Sequence, residues 1–295
     1  MIGKDKLLLH AEWNEKAQQH KEKVEELTQT WRDSKKDGKS HPVIDFLFKY
    51  FSFPYNRLKS WTPGLGVSLE APITDLISEN RFEIKNGQIQ IKESLFPKHR
   101  FKAIKWTLSL LKKTVENKAC FSCYGLHEWA MVYKTNDIRH KLFPFRLSDK
   151  EIENIVEEKP LLCTHYDAIR FYTEASLPLN RHAPTRDTQE DFEQSACLHS
   201  NMDLYKWAYK MYPWISSELL LEAFELAMDC RRVDMKASPY DLLHLGYEPI
   251  KIETPEGRDE YVKEQSRLKE KAAPIRMKLI ECYEELNRII IESDN

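Results

Sequence analysis

Glycine is scarce in this chain, at 8 of 295 residues. No uninterrupted apolar stretch reaches the ~18 residues that a membrane-crossing helix needs. A sequence this poor in glycine, with 41% hydrophobic and 31% charged residues, is neither fibrous nor disordered, and a helix-rich globule is the expectation. Neither charge sign dominates. The formal net charge of -2 supplies no overall attraction to nucleic acid, so any phosphate contact has to come from a local patch. Cysteine is thin as well: the six, at 120, 123, 163, 197, 230 and 282, sit in apolar segments as reduced core residues do. The lone C-x-x-C of Cys120 and Cys123 has no second pair at zinc-site spacing. The opening MIGKDKLLLHAEWNEK has neither a long apolar core nor a small-residue cleavage site, so a cytoplasmic protein away from membranes is expected.

Catalytic signatures are missing too. The sequence has no P-loop, no G-x-G-x-x-G after a strand, no G-x-S-x-G elbow and no H-E-x-x-H. The absence of Glu-x-x-His argues against a ferritin-type dimetal site.

What is present reads as mainly α, a bundle-like single domain with one small β-hairpin near 82–92, where Asn86-Gly87 fits a tight type I′ turn. Residues 4 to about 33 predict one charged amphipathic helix, followed by the polar linker DSKKDGKS, so 1–40 is set apart from a helical catalytic core over 41–254. In that core His41 and Asp45 read as helix-capping residues, 98–117 as a helix, and Ser148 with Glu151 as a capping box. Thr164 with Asp167 also matches a capping box. Thr254-Pro255-Glu256 starts a long C-terminal helix over 255–295, kinked at Pro274. Its Leu279, Tyr283, Leu286 and Ile290 form a seam for the body or for a second copy in a homodimer.

The stretch 197–240 carries two polar stripes on otherwise apolar helices: His199, Asp203, Lys206 and Lys210 on the first, and Glu218, Glu222, Glu225, Asp229, Arg232 and Lys236 on the second. Elsewhere, His41, Asp45, His127, Glu128, His165, Asp167 and Asp234 also fall in apolar surroundings. Neighbours on a helix diverge by about 100°, so His127 and Glu128 are not expected to serve one point. Imidazoles and carboxylates spread over several helices suit a polar centre inside a bundle. One reading is a divalent iron, manganese or zinc ion held by His165, His199, Asp203 and Glu225, acting on a small molecule or nucleotide. A second is metal-free acid–base catalysis. A third is a helical binding protein without catalysis, in which His199→Ala and Asp229→Ala leave folding and binding largely unchanged.

The blocks HPVIDFLFKYFSF, FSCYGLHEWAMVYK, CTHYDAIRFYTE, CLHSNMDLYKWAYK, MDCRRVDMKASPYDL and PIKIETPEGRDEYV resemble a bacterial family labelled 3-methyladenine DNA glycosylase, over about residues 41 to 285. The resemblance implies cleavage of the N-glycosidic bond of an alkylated purine, with DNA as partner. A flipped base would need aromatic walls, for which Trp129, Tyr166, Tyr205 and Trp207 are candidates, and a carboxylate, Asp203 or Asp229, assisted by His199 or His165. Basic residues at 98–105 and 139–146, with Arg170, Arg181 and Arg186, are the candidates for phosphate or substrate contact.

Overall fold

The computed structural model describes residues 6–294 except 76, 78, 79, 139 and 140. It is 56% helical, so the expected mainly α class holds. In chain order the elements are β1 (Lys6–Leu8), α1 (His10–Leu27), α2 (Gln29–Lys36), α3 (Ile44–Lys49), α4 (Tyr55–Lys59), β2 (Val67–Glu70), β3 (Phe82–Lys85), β4 (Gln88–Ile91) and α5 (Phe101–Glu116). There follow α6 (Leu126–Ala130), α7 (Asp149–Glu158), α8 (Tyr166–Ile169), α9 (Gln189–Phe192), α10 (Leu198–Lys210), α11 (Ser217–Lys236) and α12 (Pro255–Asp294). No helix among the described residues is long and apolar enough to cross a membrane.

The chain divides into two compact units: unit 1 comprises Met1–Leu108, Leu204–Glu225 and Ile275–Asn295, and unit 2 comprises Ser109–Asp203 and Leu226–Pro274.

Unit 1 holds the sheet, in the order β1-β2-β4-β3. The expected hairpin is there: Phe82 faces Ile91 and Lys85 faces Gln88, and Asn86 and Gly87 both take the positive φ that a type I′ turn demands. The sheet is nonetheless larger than the hairpin. β4 also pairs antiparallel with β2, and β2 pairs parallel with β1, placing Leu8 beside Leu69. The N-terminal segment therefore departs from the expected single helix in two places. Lys6–Leu8 is strand, with Leu8 buried and Leu7 exposed in the alternation of a half-covered edge. The helix is then interrupted at Thr28, whose hydroxyl donates to the Val24 carbonyl (2.6 Å). Trp13 and Trp61 stack at 6.5 Å in the core below. Gly64 is required where it stands: φ is +81°, and a Cβ there would lie 2.6 Å from the Ser216 nitrogen. The N-cap position of α3 is Val43, without a side-chain cap; His41 Nδ1 accepts from the Ile44 amide (3.4 Å), and Asp45, expected to cap, pairs with Lys49 and Lys35. Leu279, Tyr283, Leu286 and Ile290 are all buried in this unit, with the Tyr283 hydroxyl donating to the Trp207 carbonyl (2.8 Å). α12 continues through Pro274 as one 40-residue element.

Unit 2 packs short helices and turns around Trp129, whose Nε1–H donates to the Ala237 carbonyl (2.8 Å) and whose face is covered by the Arg146 guanidinium. Arg146 is held in turn by a two-pronged pair with Glu253. The Ser148–Glu151 capping box forms as expected. The one expected at Thr164 does not. His165 occupies the N-cap position of α8, leaving Asp167 to other partners.

Candidate metal centre

Five helices or their ends supply residues of unit 2 that form a group of histidines and acids. Gly125 precedes α6 in the left-handed conformation, and a Cβ on it would approach the Tyr261 ring to 3.2 Å, so the turn that delivers His127 and Glu128 depends on glycine. α8 opens on His165 with Asp167 in its first turn. Glu193 ends α9, its main-chain oxygen accepting from the Asn117 side chain (2.8 Å). His199 and Asp203 are four apart on α10, and Arg231 and Asp234 are three apart on α11, spacings that put each pair on one helix face.

The buried groups pair off in order. The Arg231 Nη1 donates to Glu128 Oε1 (2.6 Å) and Asp234 Oδ2 (2.5 Å), and Asp234 Oδ1 lies 2.7 Å from His127 Nε2. Arg231 is 1% exposed and Asp234 not at all. Burial alone would discharge Arg231 and protonate Asp234. It is outweighed in both: Glu128 and Asp234 keep the guanidinium charged, while His127 and Arg231 hold the Asp234 carboxyl well below the usual carboxylate range. His165 is turned by Glu193, with Nδ1 2.7 Å from Oε1, and its Nε2 lies 4.0 Å from Asp203 Oδ2. Against the cost of burial, the charge and hydrogen bond of His165 lower the Glu193 pKa.

His199 lies between these arrangements. Its ring meets His127 edge-on at 4.3 Å and stacks on His165 at 5.2 Å. Dense surrounding protein, and then the charges of its histidine neighbours, push its pKa well below the usual imidazole value, so it is neutral at pH 7.

Two trios have donor atoms all within 4.8 Å of one another: His127, His199 and Asp234, and His165, Asp167 and Asp203. Donors that hold a transition metal at ~2.1 Å each lie at most about 4.2 Å apart, so either trio closes on an ion with small side-chain movements. They differ in what surrounds them. Asp234 already neutralises Arg231, and an ion there would face a buried guanidinium. In the second trio His165 is oriented by a carboxylate on its far nitrogen, the arrangement that fixes metal-ligating histidines. Its two carboxylates suit a divalent ion, and the cation already on Asp167, Arg170 at 3.0 Å, is more than half exposed. The second trio is therefore the better candidate to hold an ion, with His199 as a neutral imidazole beside it.

Of the residues singled out from sequence, His165, His199 and Asp203 come together here. Asp229 sits half-buried on another face of α11, paired with Arg232 (3.0 Å) and Lys271 (2.7 Å). Glu225 and Tyr205 belong to unit 1, where Tyr205 is enclosed by Phe51, Phe53 and Phe224. Trp129 is sealed in the core of unit 2. Tyr166 is half-buried under the Arg170 guanidinium, and Arg181 and Arg186 are exposed. Arg139 and His140 of the basic stretch lie outside the described residues. His127 and Glu128 do diverge, yet Asp234 takes one and Arg231 the other, so both join one network. Arg231 and Glu193 were not anticipated. The signal for Arg231 was a charge on the apolar side of α11 three residues before Asp234; Glu193 stands in a polar run that marks no single residue. No family model, curated protein or solved structure matches this chain.

Proposed function

We propose that unit 2 is the catalytic part of a divalent-metal-dependent enzyme, with His165, Asp167 and Asp203 as ligands and iron, manganese or zinc as the ion. The observation that carries this is the convergence of those three donors within 4.8 Å around a histidine already oriented by Glu193. One histidine and two carboxylates leave coordination positions open, and the ion supplies Lewis acidity there. Glu193 holds the His165 tautomer that presents Nε2. His199, uncharged at pH 7 and in ring contact with His165, is placed to take a proton from a water or substrate hydroxyl. Hydrolysis of a small molecule or nucleotide is the reaction class that these parts serve best.

The test is elemental analysis of protein purified without chelator or affinity-tag metal. About one equivalent of ion per chain, lost in Asp203→Asn and His165→Ala but kept in Asp229→Asn, is the expected result. A metal-free wild type that also fails to take up added Mn²⁺ or Zn²⁺ overturns it. The glycosylase reading stands as a second proposal on the sequence resemblance, supported by a buried Asp203 suited to stabilising a cationic sugar. It calls for release of free base from alkylated DNA by metal-stripped protein.

A further inference from the structure

A cavity of about 770 Å³ opens in unit 2 between residues 131–137 and 170–175, and Arg170 lies on its wall. Arg170 is tied to the proposed metal centre by a hydrogen bond of 3.0 Å from Nη1 to Asp167 Oδ1. Its side chain is 53% exposed, and its guanidinium is steadied over the rings of Tyr166 and Phe171 at 5.8 and 5.7 Å. A guanidinium has five N–H donors, and the bond to Asp167 engages one. Lys134 also lines the wall, but its ammonium is paired with Glu157 (2.7 Å), so Arg170 is the cation that faces the cavity with donors to spare. Of the two acids that also line the cavity, Asp137 is turned toward Lys141 (3.7 Å), which leaves Glu174 as the opposing charge.

We propose that Arg170 is the recognition residue for an oxyanion, a phosphate or carboxylate group on the substrate of this site. The proposal rests on the metal-centre reading for its catalytic meaning, since it places the anionic end of the substrate one hydrogen bond away from a ligand. Aromatic stacking and Asp167 fix the guanidinium plane before binding, so its free edge meets the anion in the two-pronged geometry that arginine favours and lysine cannot reproduce. The cavity exceeds the volume of a phosphate ion, so the rest of the substrate occupies the side lined by Phe171, Thr173 and Met131.

Inorganic phosphate is the probe, read by calorimetry on metal-free protein and by ³¹P relaxation on Mn²⁺-loaded protein. Saturable binding is expected in both, weakened about 10-fold or more in Arg170→Ala and only partly restored in Arg170→Lys. Mn²⁺ uptake, followed by the electron paramagnetic signal of the free ion, should stay near wild type in Arg170→Ala. Equal phosphate affinity in wild type and Arg170→Ala overturns the proposal, as does no binding at millimolar phosphate in either state. Phosphate binding that needs Arg170 in a protein that takes up no Mn²⁺ keeps the anion site and removes the metal reading, so the two fail separately.

Discussion

His127, His199 and Asp234 lie in the same unit as His165, Asp167 and Asp203, and in each trio the donor atoms are all within 4.8 Å of one another. They differ in donor set, two imidazoles and one carboxylate against one imidazole and two carboxylates, and in a single buried cation. Arg231 lies against Asp234 and Glu128, so the first group carries its own countercharge. The second has Arg170, but that guanidinium is more than half exposed and screened by water. Two neighbouring clusters of histidines and acids thus differ in the cation that faces them, a fully buried guanidinium in one and a half-exposed guanidinium in the other. The lesson is that buried histidines and acids indicate a metal only after the cations around them have been counted.

The largest effect should come from breaking the Arg231 network. Arg231→Met leaves Glu128 and Asp234 buried without their cation, which costs about 3–5 kcal/mol when one partner of a buried pair is removed. Urea unfolding should show the full loss, and Arg231→Lys should recover only part of it, because one ammonium does not reproduce the planar fork. Asp203→Asn in the other cluster should change stability far less while abolishing metal uptake. If Asp203→Asn unfolds the protein and Arg231→Met does not, the roles assigned to the two clusters are reversed. Next in size is the orienting contact: Glu193→Gln should weaken metal binding about 10–100-fold with the ligands intact, measured by competition with a chelating dye.

Much of the fold was legible because its cues are local. The Asn86-Gly87 turn, the Ser148 box and the helices at 101–116 and 198–236 rest on periodicity or on residues within four positions of one another. β1 was not legible, since Leu8 becomes strand only by pairing with Leu69 far along the chain. The site was half legible. His165, His199 and Asp203 stood out as polar residues in apolar segments, whereas the Asp229 and Glu222 stripe of α11 looked equally promising and proved to pair with lysines of α12. The deciding residue, Arg231, lay on the side of the helix assigned to packing. Periodicity separates faces by polarity, and a buried ion network violates that rule by design of the chemistry it satisfies.

The smallest expected effect tests the imidazole that touches both clusters. His199 binds its proton less readily folded than unfolded, where the value is near 6.5. Below that pH the unfolded chain takes up a proton that the native protein refuses, so stability is complete above about 6.5 and is lost as the pH falls toward the depressed native value. The slope from this group is at most about 1.4 kcal/mol per pH unit. Glu193 and Asp234 act in the same direction but lower, since their lowered native values place their loss below the ordinary carboxylate values of 4.5 and 3.8. Urea unfolding of metal-free protein at pH 7, 6 and 5 follows the first window, which buried His20 shares, so His199→Gln should lessen its slope while leaving the second intact. An unchanged slope in His199→Gln would mean that His199 titrates normally in the native protein. It would then be cationic through much of that range, and a cationic imidazole stacked on His165 would repel the ion that the neighbouring trio is proposed to hold.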